Sequence, residues 1–161
     1  MWLKQKGFTI VELLVTIVAI AILVTITYVS YGSIQSQSND SAIKVDVGNF
    51  GRKIMDYYNK NGSYPDTAAE LISIKMNRTT SAYADNNWSI QYCNSPTDFA
   101  IGAESKSGNA YYYSSKTGSI AKRVGNRASD WCTNNYSIPF TYSAWASPSE
   151  DWSGSRSSNG L

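Results

Sequence analysis

One long apolar segment opens the chain, from Phe8 to about Val29, and Glu12 is the single acid within it. As a helix, about 22 residues extend about 33 Å, which is enough to cross the hydrocarbon core of a bilayer. Lys4 and Lys6 precede the segment. A carboxylate near the centre of a membrane costs ~2.5 kcal/mol or more, so the position of Glu12 points to a function.

The polar residues that follow keep a helical period. Apolar side chains recur at spacings of four and three residues, at Ile43, Val47, Phe50, Ile54 and Tyr57. The charged residues of the same stretch lie off this stripe: Lys44, Asp46, Arg52, Lys53 and Asp56. The pattern predicts one helix from about Phe8 to Asn59, whose second half packs on a sheet through the stripe.

Turn residues then end the helix. Gly62 suits a left-handed cap, and Pro65 prevents the helix from resuming. A short helix is predicted at residues 66–71, with Asp66 or Thr67 as its cap and Glu70 in the capping-box position. Residues 77–87 are predicted to form a loop.

Short alternating segments separated by turns predict an antiparallel meander. Its strands are expected at 88–92, 99–103, 110–113 and 119–122. The predicted fold class is therefore α+β, with a long N-terminal helix packed on an antiparallel sheet of about four strands.

The segment K-G-F-T-I-V-E-L-L, residues 6–14, closely resembles the prepilin signal of type IV pilins and of the pseudopilins of type II secretion and competence systems. A secretory signal would have a shorter apolar core and a small-residue cleavage site, neither of which is found here. The helix end N-G-S-Y-P, residues 61–65, resembles the same family. The remainder of the chain resembles it only in general architecture.

The resemblance implies cleavage between Gly7 and Phe8 by a prepilin peptidase, followed by methylation of the new amino terminus of Phe8. Glu12 then becomes the fifth residue of the mature chain, and its carboxylate faces the Phe8 ammonium of a neighbouring copy. Such a pair offsets the desolvation of both charges and sets the stagger between subunits. The alternative is a single-pass anchor in which Glu12 lies shallow enough to reach the head groups.

The organisation implied is a leader (1–7), a membrane-spanning and filament-core helix (8–30), the amphipathic half of that helix (31–60) and an extracytoplasmic head (61–161). The favoured function is a type IV pilus subunit, serving adhesion, motility or DNA uptake. The alternatives are a pseudopilin and, in another class, a binding module displayed on a membrane or pilus tip. Implied partners are further copies, the peptidase, the membrane assembly machinery, and membrane lipid before assembly.

Removal of the leader changes the charge balance of the chain. The full sequence carries 14 basic and 12 acidic residues, and the leader holds two of the basic ones, Lys4 and Lys6. The mature side chains are therefore formally neutral, so no strong overall field attracts nucleic acid or anionic lipid.

Two cysteines, Cys93 and Cys132, lie in the part expected outside the cytoplasm, where a disulfide is favoured. Closing this loop of about 40 residues would stabilise the fold by ~3–4 kcal/mol. Two free buried thiols are the alternative.

The sequence offers little for catalysis, because it contains no histidine. Nucleophile systems built on histidine are excluded, and neither an enzyme, a metal site nor a cofactor is expected. Four basic residues without an intervening acid follow the tyrosines at 111–113: Lys116, Lys122, Arg123 and Arg127. They fit either a single-strand nucleic-acid contact or solvated strand edges. Trp145 and Trp152, expected to be exposed, fit either an adhesive surface or a cover for the sheet or for a neighbouring subunit.

Overall fold

Helix α1, Ile10–Asn61, is the longest element of the protein. The computed structural model describes residues 7–85, 89–123, 142–146, 152 and 155–157. The chain consists of two compact units, and the boundary between them lies between Gln35 and Ser36. Residues of α1 belong to both units. The predicted helix is confirmed, with each of its ends shifted by two residues.

The end of α1 and the element after it follow the local sequence signals. Gly62 adopts a φ of 75°, the left-handed conformation expected of a helix cap. Helix α2, Ala68–Ser73, is capped by Thr67, and a capping box with Glu70 is complete. Glu70 also accepts a hydrogen bond from the Tyr57 hydroxyl at 2.8 Å, which ties α2 to α1.

The sheet is antiparallel throughout, in the spatial order β4-β3-β2-β1-β5-β6. Its strands are β1 Ile90–Asn94, β2 Phe99–Glu104, β3 Ala110–Ser114, β4 Ser119–Lys122, β5 Tyr142–Ala146 and β6 Ser155–Ser157. The predicted meander is present as β1 to β4, and β5 and β6 extend the sheet beside β1. Thr80–Ala82 forms a 3-10 turn within the predicted loop.

The second half of α1 packs on this sheet through the predicted stripe. Ile43, Val47, Phe50 and Ile54 are fully buried, whereas Tyr57 is half-buried. Beneath the helix, the Phe99 ring lies 5.0 Å from the Tyr64 ring and 5.7 Å from the Tyr113 ring, between centroids. Aromatic side chains therefore supply much of this core, in a chain whose second half contains a single leucine, Leu161.

Asp46 lies off the predicted stripe, yet it is buried. Its carboxylate accepts hydrogen bonds from the Thr79 backbone N–H at 2.7 Å and from the Tyr83 hydroxyl at 3.0 Å. These donors lie 33 and 37 residues away along the chain, so the period of α1 could not reveal them. Burial raises the pKa of Tyr83, and the neighbouring Asp46 charge raises it further.

Asp40 makes a second polar attachment between α1 and the sheet, here to the β2–β3 turn. Its carboxylate accepts hydrogen bonds from the Ser107 hydroxyl, from Asn109 Nδ2 at 2.8 Å and from the Tyr111 hydroxyl at 3.0 Å. One turn later, Lys44 Nζ lies 4.7 Å from the centre of the Tyr111 ring. Asp40, Ser107, Asn109 and Tyr111 form what we call the Asp40 network.

Trp152 provides another correction. It was expected to be exposed, yet it is buried, and its ring meets the Tyr92 ring edge-on at 6.3 Å. Trp152 therefore belongs to the core and offers no adhesive surface. The side chain of Trp145 lies outside the part of the chain that the structure describes.

Candidate functional site

The start of α1 is organised by Thr9 and Glu12. The Thr9 backbone N–H and hydroxyl both donate to Glu12 Oε2, at 2.9 and 2.7 Å. In return, the Glu12 backbone N–H donates to Thr9 Oγ1 at 3.3 Å. This reciprocal pattern is a capping box, which satisfies amide groups that the first turn of a helix leaves unpaired.

The part played by Thr9 was missed by the sequence analysis, although its signal was readable. A threonine three residues before a glutamate, directly ahead of an apolar run, is the usual signature of a capping box. The same signature was recognised at Thr67 and Glu70.

The surface of α1 after Glu12 is apolar and uncovered. Every side chain described from Phe8 to Tyr28 is exposed, with Val18 at 49% exposure among the least and Ile10 at 84% among the most. A soluble monomer rarely exposes an apolar patch of this extent. By length and composition, the helix could cross a membrane. A surface of this kind is suited to contact with lipid or with other apolar helices.

Among the described residues from Gly7 to Asn39, Glu12 is the only one with a charged side chain. The sequence carries no charged residue between Glu12 and Asp40. Among the described residues, both hydrogen bonds to the carboxylate fall on Oε2, which leaves Oε1 to accept from a further donor. A cation brought to this turn by another molecule would find a single anionic acceptor.

Gly7 precedes this turn. Among the described residues, no atom lies within 4 Å of a Cβ built at Gly7.

The structure describes one of the two cysteines of the predicted disulfide. Cys93 lies on β1 and is fully buried. Cys132 lies outside the described residues, so its pairing with Cys93 stays a prediction.

The predicted basic interval is not one compact cluster. Lys116 lies on the turn between β3 and β4, and Lys122 lies at the far end of β4; both are exposed. Arg123 is half-buried, and Arg127 lies outside the described residues.

Tyr111 and Tyr113, two of the three neighbouring tyrosines, do not present free ring faces to a nucleic acid. Tyr111 is buried, and the Lys44 ammonium lies over its ring. The Tyr113 ring packs beside the Phe99 ring, on the side of the sheet that α1 covers. The surface at Lys116 and Lys122 therefore offers charge, whereas stacking on Tyr111 or Tyr113 is not available.

Comparison with known proteins identifies the N-terminal segment. Residues 2–28 match the family model described as the prokaryotic N-terminal methylation motif, which is the signature of type IV pilins and pseudopilins. The match spans Gly7, Phe8, Thr9 and Glu12 and stops at Tyr28, before the sheet begins. No curated protein matches the chain significantly.

Proposed function

We propose that this protein is the structural subunit of a type IV pilus, cut after Gly7 and polymerised through α1 into a surface filament. One observation carries the proposal: the N-terminal methylation motif coincides with an exposed apolar helix that holds a single carboxylate in its first turn. Such a motif belongs to structural subunits, and an enzymatic activity is not proposed.

The chemistry of assembly starts with the peptide bond between Gly7 and Phe8. Hydrolysis turns the Phe8 nitrogen from an amide into an amine, which is protonated at neutral pH and stays cationic after methylation. Glu12 of an adjacent copy supplies the complementary charge. Each charge is costly alone in an apolar environment, and each is stabilised only in the register where the two meet.

Packing of α1 supplies the rest of the attraction. Lipid tails are as apolar as the helix surface, so moving α1 from a bilayer into a fibre core gains little from the hydrophobic effect. Van der Waals contact between helices and the Glu12 pair must therefore distinguish a neighbouring copy from lipid. A repeated contact between different surfaces of identical subunits does not close, and it produces a fibre.

The precursor is proposed to reside in the membrane with its head outside the cytoplasm. Lys4 and Lys6, at the start of the leader, favour a cytoplasmic N-terminus. The partners proposed at this stage are lipid, the prepilin peptidase and the membrane assembly machinery. After assembly, the partners are other copies of the chain within an extracellular filament.

Substitution of Glu12 tests the proposal. Glu12→Gln keeps the shape and much of the hydrogen bonding but removes the charge, so it should leave membrane insertion intact and abolish filament assembly. Thr16→Val, a polar-to-apolar change in the next turn, is the control and should assemble. Sheared surface fibres are quantified against total protein, and wild-type fibre yield from Glu12→Gln would overturn the proposal.

A pseudopilin of a secretion or competence system is the second candidate, because the matched motif fits it equally. The predicted disulfide in the C-terminal region favours the pilus subunit. Electron microscopy of sheared fibres, with N-terminal sequencing of their main component, separates the two. Long surface fibres made chiefly of this chain indicate a pilus subunit, whereas secretion that fails without it, in cells lacking such fibres, indicates a pseudopilin.

A further inference from the structure

The threonine hydroxyls of the apolar segment are satisfied within α1. Thr16 donates to the Leu13 carbonyl at 2.7 Å, and Thr25 and Thr27 donate to the Ala21 and Leu23 carbonyls, each at 2.8 Å. Because such a hydroxyl already donates a hydrogen bond to the backbone, it does not need a partner from an apolar solvent. These threonines can therefore lie in the hydrocarbon of a bilayer.

Tyr28 and Tyr31 differ from the threonines. Their side chains are 84% and 69% exposed, among the highest values on the helix. Among the described residues, no acceptor is found for either hydroxyl. A phenol points away from the helix axis, so its hydroxyl cannot reach a carbonyl of its own turn as a threonine hydroxyl does. Each ring is apolar, and each hydroxyl requires water or a polar group of another molecule.

This change in hydroxyl partners occurs within one turn of the helix, between Thr27 and Tyr31. We propose that Tyr28 and Tyr31 fix the outer boundary of the bilayer hydrocarbon on the unassembled subunit, with their rings among the lipid head groups. Tyrosine favours this zone because its apolar ring and polar hydroxyl suit the two sides of the interface. The inference rests on the membrane-resident precursor of the proposed function.

The boundary determines the depth of Glu12. Tyr28 lies 16 residues beyond Glu12, about 24 Å along a helix. Since the hydrocarbon core is about 30 Å thick, its inner boundary falls near Thr9, and Glu12 lies within about one turn of that boundary. At this depth the Glu12 carboxylate reaches the cytoplasmic head groups, which lowers the free-energy cost of a charge in the membrane.

A boundary drawn at the first strongly polar residue after the tyrosines would lie elsewhere. After Tyr31 the helix remains uncharged and includes Ile34, and strongly polar residues begin at Gln35. An outer boundary at Gln35 would put the bilayer centre at about residue 25, whereas the tyrosine boundary puts it at about residues 19–20. The two placements differ by about 8 Å in depth, which spin-label accessibility resolves.

The test uses the full chain in phosphatidylcholine vesicles. Single cysteines are introduced at exposed positions along the helix and labelled with a nitroxide: Ile17, Ile20, Leu23, Ile26 and Ile34. The chain without an introduced cysteine provides the background signal. Oxygen accessibility should peak at the Ile20 label and fall on both sides.

Variants at the two tyrosines test the cause of this placement. Tyr28→Leu/Tyr31→Leu should move the accessibility peak toward the C-terminus by two residues or more, ~3 Å. Tyr28→Trp/Tyr31→Trp should keep the peak in place, because indole also favours the interface.

Three outcomes overturn the inference, and they separate it from the proposed function. A wild-type peak near residue 25, or a profile that the leucine variant leaves unchanged, overturns the tyrosine boundary while the membrane-resident precursor stands. An unchanged leucine profile would mean that these rings serve contacts between copies in the fibre instead. Labels that all remain accessible to water overturn the precursor itself.

Discussion

At the first turn of α1, the Glu12 carboxylate of a single subunit already accepts hydrogen bonds from its own chain. Thr9 provides both of its observed donors, the backbone N–H and the hydroxyl. In an assembled fibre, the Phe8 ammonium of another copy is proposed to bind the same carboxylate. Because Oε1 accepts no described hydrogen bond, the incoming charge can be added without removing Thr9.

Loss of the Thr9 hydroxyl should loosen this turn. Thr9→Val removes one donor to Glu12 Oε2 and the acceptor of the Glu12 amide, and caps of this kind contribute ~1 kcal/mol. We expect amide hydrogen exchange at residues 10–13 to quicken about fivefold in detergent micelles. Thr9→Ser, which retains the hydroxyl, should exchange as wild type does. Equal protection in all three proteins would rule out a structural role for the hydroxyl.

The carboxylate of the Asp40 network should make the stability of the head depend on acid pH. Partial burial would raise the pKa of Asp40, but hydrogen bonds from Ser107, Ser105, Asn109 and Tyr111 outweigh burial and hold the pKa below its ordinary value of 3.8. A lowered pKa stabilises the fold above the unfolded-state value. That stabilisation is lost as pH falls below about 3.8 and through the folded-state pKa.

Asp40→Asn should therefore lower the free energy of unfolding by ~1 kcal/mol at pH 7, since water still reaches the carboxylate. The difference from wild type should shrink as the pH falls from 5 to 2. Urea unfolding of the full-length protein in detergent measures both. Asp56→Asn, at an exposed position of the same helix, is the control. A difference that stays constant over this pH range would argue against a charged Asp40 as the hydrogen-bond acceptor.

At the scale of elements, two glycines let α1 approach the sheet closely. A Cβ at Gly51 would lie 2.5 Å from Tyr113 Cδ1, and one at Gly48 would lie 3.0 Å from the flexible end of Ile120. From the sequence, each glycine only lowers helix propensity, by ~1 kcal/mol relative to alanine. Their role in packing depends on Tyr113 of β3 and Ile120 of β4, which are distant along the chain.

Gly51→Ala should destabilise the head by ~1–2 kcal/mol, because overpacking against the Tyr113 ring outweighs the gain in helix propensity. Gly48→Ala should cost less, since the Ile120 side chain can change its rotamer. Urea unfolding compares both variants with wild type. Stabilisation by Gly51→Ala would show that the helix can move away from β3 at little cost.

The elements differ in how far the sequence alone could reveal them. α1, the α2 capping box and the turn at Gly62 depend on residues a few positions apart, and all three were predicted. The burial of Asp46 depends on hydrogen bonds from Thr79 and Tyr83. The burial of Trp152 depends on contact with Tyr92. Because these partners are distant along the chain, a local sequence pattern could not predict either result. β5 and β6 follow a stretch in which the alternation of polar and apolar residues is weak.

At the scale of the whole molecule, the predicted disulfide would join β1 to the region after β4. Cys93→Ser should lower the free energy of unfolding by ~3–4 kcal/mol, the amount expected for closing a loop of about 40 residues. Cys132→Ser should have a similar effect, since either change opens the same loop. Reaction of unreduced native protein with a maleimide under denaturing conditions is the direct check, and modification of both thiols would exclude the bridge.

The proposed fibre is a chain of contacts between the Phe8 amine of one subunit and the Glu12 carboxylate of another. Zero-length carbodiimide coupling, in fibres assembled from equal amounts of ¹⁴N- and ¹⁵N-labelled subunits, measures this contact directly. The account predicts a mixed-isotope peptide in which the Phe8 nitrogen is joined to the Glu12 side chain. Fibres that form without this peptide, or whose subunits still carry residues 1–7, would contradict it.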